Sequence, residues 1–411
     1  MSTDESRPDA LAGLRVLELG QLIAGPFAGA LLAGFGADVI KIEDPRTGDP
    51  LRSWRMLHEG TSLWWRAMAR NKRSVAVDLR REEGRALVRR LIGEGHVDVV
   101  IENFRPGRME SWGLGYAELA ATNPRLIMAR ISGYGQTGPR SREPGFANVA
   151  EAVAGLRYLT GEPERPPVRA SLSLGDTIAA LHAALGILVA AHARDAVGGS
   201  GRGQVIDVAL TESIFNVLES ALPEFDLFGH VRERSGTRLD GIVPTGTYRC
   251  ADGAYVVIGA NSDSMFGRLM RAIDRPDLAD DPALAGNAGR VADEARIDAA
   301  ITAWVVARGR DECLEHLRAA EIAVGPIQSI ADVAGDPHFL ARAVFESVTL
   351  PDGRPLRIPA VLPRLEATPG RTRWIGPDLG AHTGEVLGGL LGLEDAELQR
   401  LDAAGVVGLR R

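Results

Sequence analysis

Strand-like and helix-like segments alternate through the first half of the chain, and this alternation limits the fold more than any other feature. Residues 14–19 read as a buried strand, 20–25 as a loop and 26–35 as a helix. Phe27, Ala30, Leu31 and Gly34 recur there at helical spacing, and Pro26 suits a first helical turn. Residues 38–43 are the next strand, which completes a βαβ unit. A second cycle follows as strand 74–78, helix 81–92 and strand 97–102, and residues 126–131 add a further strand. The pattern predicts an α/β fold with a largely parallel sheet and helices on both faces. Ligands of such sheets sit beyond the carboxyl ends of the strands. The loops at 20–25, 43–49, 103–107 and 133–139 are therefore the expected binding rim. The first turn reads Gly20-x-x-x-x-Gly25 rather than Gly-x-Gly-x-x-Gly, which argues against a nicotinamide dinucleotide site.

An extended stretch, 166–174, runs into Gly175-Asp176 and then into a nearly uncharged helical pattern, 177–193. A Gly-rich turn at 198–203 and a strand at 204–208 come next. Asp176 thus stands at a helix mouth. Asp is a preferred N-cap residue there, and the positive helix terminus also suits charge that develops during acyl transfer. The residues alone leave both roles open. Residues 210–222 read as another helix. The expected organisation is a first part of the large domain over 1–223, a linker over 224–245, a small α+β domain over 246–335 and a return to the large domain over 336–411. The small domain opens with a hairpin across Asp252-Gly253 and continues with helices at 265–273, 293–307 and 310–320. The tail carries a strand at 345–350, a turn at Pro351-Asp352-Gly353 and a closing helix after His382.

Composition removes several classes of function. A formal net charge of −7 disfavours a general nucleic-acid binder. The most apolar run, 178–191, is short for a bilayer and contains His182, so it is expected to be a core helix with no membrane role. Eight histidines lack metal-ligand spacing, and no metal site is expected. Two cysteines, Cys250 and Cys313, give no disulfide framework and fit a reducing cytoplasm. Residues 2–8 are polar and read as a short disordered lead. Lysine occurs only at Lys41 and Lys72, which singles these two out.

Six segments in order are similar to one family. They are Leu14-Arg15-Val16-Leu17-Glu18-Leu19-Gly20 with Ala24-Gly25-Pro26; Gly36-Ala37-Asp38-Val39-Ile40-Lys41-Ile42-Glu43; Asn71-Lys72-Arg73-Ser74; Glu102-Asn103-Phe104-Arg105-Pro106-Gly107; Gly201-Arg202-Gly203-Gln204; and Gly380-Ala381-His382-Thr383. The chain resembles the class III coenzyme A transferases, also called the carnitine dehydratase and bile-acid-inducible protein family, over nearly its whole length. The resemblance implies a Rossmann-like large domain with a small domain inserted, and a homodimer of two interlocked rings. It implies coenzyme A and acyl-CoA as substrates with no tightly bound cofactor, a carboxylic acid as the other partner, and Asp176 as nucleophile. A carboxylate is ionised at neutral pH and needs no general base, so proximity and oxyanion stabilisation must supply the rate. The resemblance also places Leu22, Ile23, Ala24, Val77, Arg80, Asn103 and Phe104 along the nucleotide, with Lys72, Arg105 and Arg108 as phosphate partners. Asp44 and Ser111 stand where family members often carry basic residues, and Arg46 and Arg108 are the nearby substitutes.

The branch is read from a few positions. Phe146 follows Pro144-Gly145 where a racemase of the family has His, so a two-base proton transfer lacks its second base. Ala147 and Ile23 replace the acid and the Gln of the formyl-CoA branch. Residues 145–152 and 159–163 resemble the branch that moves CoA from succinyl-CoA to dicarboxylates such as malate, citramalate, mesaconate or glutarate. Arg52, Arg140, Arg142 and Arg169 are the candidates for a distal carboxylate. The alternatives are a CoA-ester racemase or isomerase and a non-catalytic acyl-CoA-binding protein on the same fold.

Overall fold

The central strands of the main sheet place buried apolar side chains on both faces, as strands covered by helices on either side must. In the computed structural model, which describes residues 9–410, the strands of this sheet are β1 (Arg15–Glu18), β2 (Asp38–Glu43), β3 (Lys72–Val77), β4 (Val99–Glu102), β5 (Ile127–Ser132), β6 (Val205–Ala209) and β7 (Val407–Gly408). The order across the sheet is β7-β3-β2-β1-β4-β5-β6. Neighbours run parallel, except that β7 pairs antiparallel with β3. Successive side chains point to opposite faces and feed two separate cores. Leu17, Ile40, Val75, Val100 and Met128 enter one with Glu82–Gly93 and Thr383–Leu391. Val16, Val39, Val99, Ile101 and Ile127 enter the other, with α1 (Ala24–Gly34) and α2 (Leu174–Asp195).

The chain passes from β1 to β2 and β3 on one side, then crosses back to β4, β5 and β6 on the other. The switch point lies between β1 and β4, where a parallel sheet opens a crevice for ligand. Helices that connect parallel strands run against them. The first turns of α1 and α2 therefore lie at the carboxyl edge of the sheet.

Contacts divide the chain into two units. One holds 1–156, 170–218 and 341–411; the other holds 157–169 and 219–340. The second unit is built on an antiparallel sheet of Thr245–Arg249, Tyr255–Gly259 and Ala323–Pro326. Helices Asp263–Ala272, Glu294–Val306 and Arg310–Ala319 close over it. Cys250 and Cys313 are both buried in that core as free thiols.

Several expectations need correction. The helix read at 210–222 stops at Phe215, and Glu219 turns the chain with a φ of 54°. The expected linker begins inside a second helix, Ala221–Phe228. The long apolar helix starts at Leu174, three residues early, and is 22 residues long. It is therefore long and apolar enough to cross a membrane by length and composition alone. Its alanine face packs into the core through Ala179, Ala180, Ala183 and Ala184, while Leu181, Leu185, Leu188 and Val189 form an exposed stripe. The lead expected at 2–8 lies outside the described residues.

Candidate active site

The turn after β1 is held from below by charge. Leu22 adopts a φ of 64°, a left-handed conformation that a branched side chain rarely takes. Its N–H donates to both oxygens of Asp49, at 3.0 and 3.2 Å. Asp49 also accepts the Leu51 N–H at 2.9 Å and pairs with the Lys41 ammonium at 2.9 Å. Lys41 reaches Glu18 at 3.2 Å and donates to the Gly20 carbonyl. Lys72 completes the cluster, with Glu18 at 2.7 Å and the Pro26 carbonyl at 2.6 Å. None of Glu18, Lys41, Asp49 and Lys72 is more than 1% exposed. Two ammonium groups and two carboxylates cancel, as a buried cluster requires. Burial alone would depress the Lys41 pKa, but Asp49, Glu18 and Glu43 outweigh it and hold the group above its ordinary value. At Lys72 burial wins over Glu18, and the pKa lies below the ordinary value. Gly29 is required over this cluster, because a Cβ there would stand 1.9 Å from a Glu18 oxygen.

Lys72 was expected to meet a phosphate. Buried, and bonded to Glu18 and Pro26, it instead braces α1 against β1. Asn103 likewise turns inward. Its amide accepts from the Gln21 N–H and donates to the Gln21 carbonyl, both at 2.8 Å, which ties the end of β4 to the Gly20–Ala24 turn. Ile23 and Ala24 are buried at the start of α1, which has no side-chain cap.

Beside the switch point opens a pocket of ≈ 340 Å³. Leu19, Ile42, Val77, Leu79, Phe104 and Trp112 form its apolar walls, and Asp44, Asp78, Arg80 and Arg108 its charged margin. Phe104 meets Trp112 edge-on at 5.2 Å, and the Arg108 guanidinium lies 5.5 Å from the Trp112 ring centre. Arg80 is paired with Asp78 at 2.7 Å and with Asp44 at 2.9 Å. Of the two nearby substitutes, Arg108 lines the pocket, while Arg46 sits on Asp44 at 3.3 Å with most of its side chain in solvent. The expected residues Val77, Arg80, Phe104 and Arg108 thus share one pocket, and Arg105 lines a separate cavity. Beneath them Glu102 is pushed up to about 7 by burial, against the pull of Arg130 and the Phe104 N–H.

Asp176 is the third residue of α2, inside its first turn, so it is not the cap. Ser173 holds the cap position without a side-chain hydrogen bond. Asp176 is half-buried. Gly175 before it presses on Ala147, the first residue of the short helix Ala147–Val153. A Cβ at 175 would lie 3.1 Å from Ala147 Cα, and only glycine allows this approach without displacement. The Gly175 N–H donates to buried Glu151 at 3.4 Å. In the first turn the Asp176 carboxylate stands near the positive end of the helix dipole.

Sequence reasoning missed Glu18, Asp49, Trp112 and Glu151. The two retained lysines were the one available signal for the first pair, since Lys41 and Lys72 are its partners.

A parallel sheet with a pocket at its switch point, and a carboxylate within a helix start on the same edge, is the arrangement in which α/β proteins bind their ligands. The chain belongs to CoA-transferase family III, whose profile matches residues 11–383. It is 47% identical over 401 residues to the succinyl-CoA–D-citramalate CoA-transferase of Chloroflexus aurantiacus, spanning 97% of this chain and 98% of that one. It is 43% identical over 401 residues to the alpha subunit of the succinyl-CoA–L-malate CoA-transferase of Chloroflexus aurantiacus, spanning 97% and 92%. A crystal structure of a CaiB/BaiF family protein from Brucella suis superposes with a TM-score of 0.78 at 35% identity, over 93% of this chain and 99% of that one. The protein is therefore a class III CoA-transferase.

Proposed function

We propose that the enzyme moves CoA from succinyl-CoA to a dicarboxylic acid such as citramalate or malate, through covalent intermediates on Asp176. The similar transferases named above use succinyl-CoA with citramalate and malate. The observation that carries the mechanism is the position of Asp176 in an uncapped first helical turn, half-buried and backed by Gly175 and Glu151. Its carboxylate oxygen attacks the thioester carbonyl, the C–S bond breaks, and CoA leaves as the thiolate. The resulting mixed anhydride is attacked by that thiolate at the aspartyl carbonyl, giving an aspartyl-CoA thioester and succinate. The acceptor carboxylate reverses these steps. Each step exchanges one acyl bond for another, which divides a hard transfer into two easier ones.

Ligand positions follow the same reading. The 340 Å³ pocket takes the adenine end of CoA, with Val77 and Phe104 as walls and Arg80 and Arg108 toward phosphate. The Leu22-Ile23-Ala24 turn and Asn103 border the pantetheine. Phe146 has no titratable group, so the position where a racemase of the family has His supplies no second base. The exposed stripe of Leu181, Leu185, Leu188 and Val189 supports an interlocked homodimer that covers it. Two reduced, buried cysteines agree with a cytoplasmic enzyme.

The test is an acceptor screen with succinyl-CoA as donor. Formation of citramalyl-CoA or malyl-CoA with release of succinate is expected. Exchange with no diacid, or full activity in Asp176→Ala, would sink the proposal.

A further inference from the structure

A diacid substrate carries a second carboxylate, and four arginines are candidates to receive it. The structure separates them. Arg52 donates to both oxygens of Glu43, at 2.7 and 2.8 Å, and stacks 3.8 Å from the Trp65 ring centre. Arg140 is held by Glu143 at 3.0 Å and by the Tyr134 hydroxyl at 2.7 Å. Arg169 belongs to the other unit and has a partner of its own. Arg142 has no ion-pair or hydrogen-bond partner among the described residues, and it lines a cavity of ≈ 520 Å³.

The rest of that cavity is prepared for an anion. The Arg105 guanidinium lines it, also without a partner among the described residues. Arg130 is already committed, to Glu102 at 2.8 Å and to Glu110 at 2.7 and 3.2 Å. The lining thus carries three guanidinium groups and one carboxylate, Glu110, with Glu102 behind Arg130. Gln136 adds a buried side-chain amide nitrogen with no acceptor. Asp207 does not supply one, since it accepts the backbone N–H of Gln136 at 2.9 and 3.1 Å. A buried donor left unmade costs free energy that an oxyanion would recover.

The loop that lines the cavity leads along the chain to the residue that abuts Gly175. Gln136 and Arg142 lie on a loop pinched at its neck, where a Cβ on Gly133 would stand 2.8 Å from Gly145 Cα. Two residues past that neck Ala147 abuts Gly175, which precedes Asp176. We propose that Arg142, with Arg105 and Gln136, forms the subsite for the distal carboxylate of the diacid. A planar guanidinium fork pairs with a carboxylate in two parallel bonds, a match that a lysine ammonium lacks. This rests on the diacid reading of function given above.

The test compares wild type with Arg142→Ala, Arg142→Lys and Gln136→Ala, each checked for an unchanged melting temperature. The readouts are the KM of the diacid acceptor and the inhibition constant of free CoA. For Arg142→Ala, the acceptor KM is expected to rise about tenfold or more, the scale of a charged hydrogen bond, while CoA inhibition stays the same. Arg142→Lys should recover part of the loss, and Gln136→Ala should show a smaller rise. An unchanged acceptor KM in Arg142→Ala overturns the subsite. Weaker CoA inhibition also overturns it, because the cavity then holds a CoA phosphate. A wild type that turns over no diacid defeats the functional reading itself, and the subsite falls with it.

Discussion

The two helix starts at the carboxyl edge of the sheet are built in opposite ways. Neither α1 nor α2 has a side-chain cap. The turn into α1 is fixed by Asp49, Lys41, Glu18 and Lys72, all buried, and it keeps Leu22 in a left-handed conformation. The turn into α2 instead brings a glycine against Ala147 and donates a long hydrogen bond to Glu151, and its carboxylate is half-buried. One start is scaffold, made rigid by charges that never meet solvent. The other leaves its charge only half-buried. On the proposed mechanism, binding geometry and reactive group belong to different elements of the same edge.

Substitutions can break this contrast. The largest effect is expected from Asp176→Ala, with turnover down about a thousandfold or more, as for loss of a nucleophile. Its melting temperature and CoA inhibition should stay near wild type. Equal losses of stability and activity would make Asp176 a scaffold residue instead. Asp49→Ala should act the other way. It leaves the buried Lys41 with only Glu18 as ion-pair partner and the Leu22 N–H without its acceptor, at about 3–5 kcal/mol, read by chemical denaturation. Asp49→Asn should be milder, because the amide oxygen can still accept from Leu22.

Gly175→Ala places a Cβ 3.1 Å from Ala147 and tests whether the α2 start is positioned for chemistry. A stability loss of about 1–3 kcal/mol is expected for overpacking. Turnover at a temperature where the variant is folded should fall as well, with CoA inhibition unchanged. The smallest effect belongs to Leu22→Gly. It relieves a left-handed φ while loosening the unfolded chain, so stability should change by no more than about 1 kcal/mol. A large loss there would mean that the Leu22 side chain, rather than its backbone, organises the turn.

The sheet was legible because its strands are apolar runs bounded by Gly and Pro turns, and β2 begins and ends where periodicity placed it, at Asp38 and Glu43. The carboxyl-edge rim followed from strand alternation, whereas the strand order, and with it the switch point, depends on pairings that no local pattern carries. The pocket walls Val77 and Phe104 came from the family resemblance rather than from any local pattern. Lys72 was misplaced because a lone lysine in sequence looks like a surface charge, and its partners Glu18 and Pro26 lie 54 and 46 residues away. Asp49 was hidden for the same reason, since its link to Leu22 spans 27 residues. Asp176 was taken for a possible cap because the charged-to-apolar boundary suggested a helix beginning after it, whereas Leu174 and Gly175 already belong to the helix.

The most direct test of the account is chemical trapping on the nucleophile. The enzyme is mixed with succinyl-CoA, treated with hydroxylamine, digested and analysed by mass spectrometry. A hydroxamate on the Asp176 side chain, absent without succinyl-CoA and absent in Asp176→Ala, is the expected result. Sustained transfer of CoA to a diacid with an unmodified Asp176 peptide, matched by an active Asp176→Ala enzyme, would contradict it.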